Sequence, residues 1–430
     1  MSRALLLGVA ALALSATPLA AQDVAVTGAT VATGDGSEPI RNATVVVQGG
    51  RVVAAGAGVA VPAGMTVVDG SGLWVTPGLF ASITNLGLVD VGAVGESNDE
   101  EAGNSPFNAA LDVAPAINPQ AQDFGYSRAG GVTRASVTPS AGSDIFAGQG
   151  AVIDLGADFD AVRQRRAFQH VEMGERGARL AGGSRTAVHT LIRNALFEAS
   201  RLAETGERDD DALLTRFDAL ALAPVVRGEQ KLYVTVHRAA DILSVLALRD
   251  EFPALDMVLV GVTEGWMVAP QIAAADVPVI TNALVDLPSS FERLAATQSN
   301  VGRMVDAGVR VAIGGYESSG DHPRGLPQQA GNMVALNGVP GATGLSWGEA
   351  FATITSVPAS IGGLEGTAGV LQAGAHGDLV IWDGDPLELS SAPLRVFIDG
   401  VEQPLDNHQT RLRERYRTLD ESQLPAAYRR

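Results

Sequence analysis

Val75-Thr76-Pro77-Gly78-Leu79-Phe80-Ala81-Ser82-Ile83-Thr84-Asn85-Leu86 is the stretch whose reading decides the fold. An apolar run entered through a Pro-Gly turn is the pattern of a strand covered on both faces. Alternate residues of such a strand point the same way, so Ala81, Ile83 and Asn85 are expected to share a face. Farther along, strand and helix periods alternate. Leu232 to Val236, Met257 to Val262, Val277 to Ile280 and Val309 to Ile313 read as strands, while Ala239 to Glu251, Val268 to Ala275 and Phe291 to Ala307 read as helices. This alternation predicts parallel βα units, in either a doubly wound sheet or a (β/α)8 barrel. In both, chemistry collects at the carboxyl ends of the strands.

The chain ends read differently. Residues 23 to 75 set short Val-rich runs between Gly turns, and Asp378 to Pro386 and Leu394 to Gly400 repeat the strand-turn-strand pattern. One β domain built from both ends, residues 22–76 and 371–405, is therefore expected around a central 77–370. The tail 406–430 is charged and reads as a surface helix or a solvated end.

Composition narrows the function classes. With 46% hydrophobic and 18% charged residues the chain can bury a large core and is not of disorder-prone type. Met1 to Ala21 has a basic Arg3, an apolar run and a small-residue Thr17-Pro18-Leu19-Ala20-Ala21, the layout of a cleaved secretory signal. An uncleaved anchor is the alternative, although the run is short for a membrane span. A periplasmic or secreted protein without a membrane span is the expectation. No cysteine is present, which removes disulfides, thiolate ligands and thiol nucleophiles. The formal charge of −18 opposes binding to nucleic acid and to anionic membranes.

Three loops have two readings each. Val91 to Glu101 is a solvated acidic loop or an overhang of the barrel mouth. Pro139 to Gly150 is rich in glycine but lacks a phosphate-binding lysine, and reads as a βα loop rather than a nucleotide loop. Gly344-Leu345-Ser346-Trp347-Gly348 matches a nucleophile elbow, yet no strand precedes it. Ser346 followed by Glu349 is instead a helix capping box.

Several blocks in order resemble the exported, imidazolonepropionase-like branch of the amidohydrolase superfamily. They are Thr76-Pro77-Gly78-Leu79, Gly130-Gly131-Val132-Thr133, Val236-His237-Arg238-Ala239-Ala240-Asp241-Ile242 and Gly377-Asp378-Leu379-Val380-Ile381-Trp382-Asp383-Gly384-Asp385-Pro386. The resemblance spans roughly residues 23 to 405. It implies an α/β fold, a (β/α)8 TIM-like barrel with a small composite β-sandwich from both chain ends. It also implies an ancestry in hydrolysis of C–N bonds of cyclic or peptide-like amides.

In that family zinc activates a water, and three or four imidazole or carboxylate ligands must converge on it. Here the residues at the matching positions are Ile83 and Asn85 on the first strand, then Thr235, Gly261 and Tyr316. None is a good zinc ligand, so no cofactor is expected. A substitute site from Glu264, Glu317, Asp321 and His322 is the alternative. Of the six histidines, His376 and His408 fall outside the barrel, while His170 and His189 read as exposed or capping residues. His237 closes its strand, either as a hydrogen-bonded strand-end residue or facing the mouth.

The catalytic candidates are thus His237 and Glu264, with Asn85, Tyr316, His322 and Arg238 as ligand contacts. Arg238 with Asp241 also reads as a brace for a helix start. The expected partners are a small amide-like molecule and, in a homo- or hetero-oligomer, a related amidohydrolase. A non-catalytic binding or partner subunit is the second reading.

Overall fold

The structure is a computed structural model describing residues 21–314, 322–417 and 427. Apart from Ala21, the segment read as a secretory signal lies outside the described residues, as do Tyr316, Glu317 and Asp321. Two eight-stranded sheets organise the rest. In chain order the strands are β1 Val24–Val31, β2 Ile40–Gln48, β3 Arg51–Gly56, β4 Thr66–Asp69, β5 Trp74–Pro77 and β6 Leu79–Thr84. Next come β7 Val132–Val137, β8 Phe146–Asp154, β9 Val162–Glu172, β10 Lys231–Val236, β11 Met257–Gly261, β12 Val279–Thr281 and β13 Val311–Ile313. The last are β14 Leu379–Trp382, β15 Pro393–Ile398 and β16 Val401–Glu402.

The first sheet takes strands from both chain ends in the order β16-β15-β14-β5-β1-β2-β3, with β4 on β1. Its alternating Val and Ala residues bury one continuous core. Pro77-Gly78 is where the chain leaves this sheet for the second. β5 pairs with β14, whereas β6 starts beside β7 after the single intervening Gly78. Gly78 has to be glycine, since a Cβ there would stand 2.0 Å from Thr133 Oγ1.

The second sheet runs β6 through β13 in chain order and curls into a nearly closed, TIM-like barrel. Between β13 and β6 the seam is bridged by the backbone of Thr353 and Ile354, which accept from Ile313 N at 2.9 Å and Phe80 N at 3.0 Å. One strand departs from the expected βα repeat. β8 is antiparallel to both β7 and β9. The connections, residues 138–145 and 155–161, fall short of the dozen or so residues that a parallel crossover requires. The Gly-rich Pro139 to Gly150 is consequently a hairpin link running into β8, not a βα loop.

Inside the barrel, Phe168 of β9 stacks on Tyr233 of β10 at 3.9 Å. Ile83, Val258, Val260, Ile280, Ala312 and Ile361 fill the space around them. Gly150 of β8 makes this possible, because a Cβ would lie 2.1 Å from the Phe168 ring. The middle of the lumen is therefore packed, and a site has room only towards its ends.

The expected helix Phe291 to Ala307 forms only over Asn300–Asp306. Side chains elsewhere take the backbone groups that a helix would use. Glu264 accepts from Ala295 N at 3.1 Å, and Trp266 Nε1 donates to Ala295 O at 2.9 Å. Residues 282–299 stay an irregular loop above the strand ends. Ser346 and Glu349 form a reciprocal capping box, with Ser346 N donating to Glu349 Oε2 at 2.9 Å. Ser346→Ala is expected to cost about 1 kcal/mol of stability. A urea unfolding midpoint that did not move would show that the cap contributes nothing. Among the described residues no helix is long and apolar enough to cross a membrane.

Candidate functional site

A cavity of about 470 Å³ opens at the carboxyl ends of the barrel strands. Each strand contributes according to its two-residue period. His170 and Glu172 rise from β9, and Thr235 and His237 from β10 and its end. Gly261, Asn282 and Gly314 follow at the ends of β11, β12 and β13. The irregular loop supplies Ser290, Glu292 and Arg293, while Arg176 and Arg179 come from the helix Glu175–Leu180.

His170 corrects its expected position. The run Ala161 to Met173 looks polar because its first half, Arg163 to Arg166, is solvated. Its second half enters the barrel, and His170 is only 4% exposed. Its Nδ1 lies 3.0 Å from Pro139 O, a group that can only accept, so Nδ1 carries the proton. Nε2 then accepts from the Thr235 hydroxyl at 2.8 Å. Burial is the main cause that lowers the His170 pKa, to about 4, and Arg176 adds to it.

His237 lies at the mouth, also buried. Arg293 donates to its Nε2 at 2.9 Å, which leaves the proton on Nδ1, facing Thr263 Oγ1 at 3.0 Å. Burial, with the Arg293 charge second, lowers its pKa to about 3. Both imidazoles are thus neutral near pH 7. The lone pair of each is engaged, one by a hydroxyl and the other by a guanidinium. Zinc needs such lone pairs and is repelled by a cation held on one of them. Among the described residues, no group of three or more His, Cys, Asp or Glu converges as a metal site would require.

The other sequence candidates lie elsewhere. Glu264 braces the mouth from beneath: its oxygens accept from Ala239 N at 3.0 Å and Ala295 N at 3.1 Å. His322 pairs through Nδ1 with the Tyr126 hydroxyl at 2.8 Å, on the helix Gln122–Ala129. Arg238 reaches Asp241 at 2.9 Å, and Asp241 also accepts from Arg185 at 2.7 Å, which braces the helix Ala239–Leu246. His189 lies on the helix Arg185–Thr205, His376 bonds Asp399, and His408 is exposed. Tyr316 lies outside the described residues.

Ile83 and Asn85 part company. A register shift after Ala81 and a φ of +25° at Ile83 break the simple alternation. Ile83 lines the cavity, whereas Asn85 donates to Glu100 of the acidic loop. That loop is partly engaged, since Glu101 also approaches Arg176 at 3.6 Å. Sequence reasoning missed Glu172, Glu292 and Arg293. Burial pushes the Glu292 carboxyl up, even though it accepts from Glu175 N at 2.6 Å. The strand-like Phe168-Gln169-His170-Val171 was the available signal for β9, but the loop residues had none.

Residues 264–401 match the model of the amidohydrolase family. Over 60 residues the chain is 42% identical to amidohydrolase tasK of Hapsidospora irregularis, a match spanning 14% of this chain and 6% of that protein. An amidohydrolase from Thermotoga maritima MSB8 shares the fold at 24% identity and a TM-score of 0.77, over 88% of this chain and 99% of its own. A triazine hydrolase from Arthobacter aurescens aligns at 15% identity and a TM-score of 0.53, over 90% of this chain and 96% of its own. A prolidase complexed with N-methylphosphonate-L-proline aligns at 14% and 0.51, over 88% and 98%. The family match covers residues 264–401, and the likeness to these solved structures is one of fold.

Proposed function

We propose that this is an exported amidohydrolase-fold protein whose barrel mouth takes a small cyclic or peptide-like amide without a catalytic metal. Its lineage is C–N bond hydrolysis of the imidazolonepropionase-like kind, with weak or altered turnover. One observation carries the reading: a cavity of about 470 Å³ stands at the strand ends, where both imidazoles have their lone pairs engaged by protein donors. Its volume suits a small organic ligand. Arg293, Asn282 and Ser290 supply donors, and Glu172 an acceptor, for the two ends of an amide.

Zinc added to the purified protein and then removed by desalting is expected to leave well under one equivalent bound. One retained equivalent, measured by elemental analysis, would overturn the metal-independent reading. Hydantoin, a small cyclic amide, is expected to raise the melting temperature and to lose that effect in Arg293→Ala.

A second reading, a partner subunit of a related amidohydrolase, is favoured by one feature. The loop over the mouth exposes Leu287, Phe291 and Leu294 at 77%, 82% and 64%. A protein that stays monomeric in sedimentation, and does not bind an active paralogue, would remove it.

A further inference from the structure

Thr235 and His170 meet inside the cavity as a hydroxyl and a base. Both line it, and their hydrogen bond is 2.8 Å long. The Pro139 carbonyl fixes the far side of the ring at 3.0 Å, so the unprotonated Nε2 is the nitrogen turned to the hydroxyl. A nucleophile, a base and a group that orients the base form the minimal constellation for acyl transfer. The scaffold holds it firmly. β9 and β10 are parallel neighbours with His170 opposite Tyr233, and the stacked Phe168 and Tyr233 rings close the lumen one layer below.

From this geometry we infer that Thr235 is a nucleophile and His170 its general base, giving the barrel a metal-independent acyl-transfer site. The inference rests on the cavity being a ligand site, as proposed above. Thr235 Oγ attacks the acyl carbon while its proton passes to His170 Nε2. The C–N or C–O bond of the substrate then breaks, and the leaving group takes that proton. Water attacks the acyl-threonine ester, again losing a proton to His170, and releases the carboxylic acid with Thr235 restored. Atoms and charge balance without an added reactant other than water.

The site also selects its substrate class. His170 stays neutral at neutral pH, but as a buried imidazole it is a weak base. Acyl groups with good leaving groups or ring strain, such as activated esters, lactones and lactams, are therefore favoured over ordinary peptides. Two residues along the same face of β10, roughly 7 Å away, His237 holds the Arg293 guanidinium at the cavity wall, a cation suited to developing negative charge.

The test uses the full-length protein with two probes. A fluorophosphonate is expected to form a stable phosphonate ester mapped by mass spectrometry to Thr235, and p-nitrophenyl acetate to release nitrophenolate. Thr235→Val should abolish both, Thr235→Ser should keep both, and His170→Gln should slow nitrophenolate release by about 100-fold or more. The sole lysine, Lys231, lies at the other end of the barrel with its amine on Ile361 O at 3.0 Å. Acetyl on lysine resists hydroxylamine, whereas acetyl on Thr235 is removed by it. Absence of the Thr235 adduct, or equal nitrophenolate release by Thr235→Val, overturns the inference. Hydantoin binding to the same variants separates the two ideas. Binding without a Thr235 adduct sinks the nucleophile alone, and loss of both in wild type sinks the ligand site as well.

Discussion

Asp378→Ala is expected to destabilise the protein by about 3–5 kcal/mol, because it strands a buried arginine without its partner. Asp378 and Arg134 are each 2% exposed. Arg134 leaves β7 of the barrel and donates through Nε to Asp378 Oδ2 at 2.7 Å and through a terminal nitrogen to Oδ1 at 3.2 Å. Asp378 directly precedes β14 of the first sheet, so this fork joins the two sheets. It is a wider network than one pair: Asp399 accepts from Arg134 at 2.9 Å, and Asp399 N donates to Asp378 at 2.9 Å.

Removing the carboxylate leaves the guanidinium out of water without its forked partner, with the half-exposed Asp399 bonded to it and Asp154 across the neighbouring strand. Replacing both partners by apolar residues, as in Arg134→Met with Asp378→Leu, is expected to recover much of the loss. Urea unfolding of the three proteins is the measurement. A single variant as stable as wild type would show that the fork contributes no stability.

Acid is expected to weaken the fold through His170 and His237, by on the order of 3 kcal/mol each between pH 6.5 and 4. Their pKa values in the folded protein are about 4 and about 3, against an ordinary 6.5. Within that window the unfolded chain binds more protons than the folded one, so stability falls as the pH falls. Burial is the main cause for both, with Arg176 near the first and Arg293 on the second. Glu292, Asp144 and Asp154, whose carboxyls are raised, act in the opposite direction. Comparison with variants isolates the histidines. His170→Gln and His237→Gln should each flatten the pH dependence of the unfolding free energy from urea titrations by about one proton, or ~1.4 kcal/mol per pH unit. An unchanged slope in both would contradict the buried neutral state.

These histidines also show what could be read from the residues. His237 was legible because an apolar strand, Leu232 to Val236, ends directly before it, and strand ends are where a barrel places its site. The Ser346 cap was legible for the same kind of reason, since its bonds reach only three residues along the chain. His170 was not, because the solvated arginines earlier in β9 hide the buried half of the strand. Glu264 was legible as a residue at a strand end but not in its role, because its partners Ala239 and Ala295 lie 25 and 31 residues away.

The opening stretch divides along the same line. The sequence by itself determined the Pro77-Gly78 turn, the apolar β6 and the alternation of strand and helix, all of which follow from local periodicity and backbone preference. Only the tertiary structure decided that β8 runs antiparallel, that Ile83 faces the cavity while Asn85 turns to Glu100, and that Thr235 meets His170. These outcomes depend on register and burial between strands far apart in the chain, which no local pattern encodes.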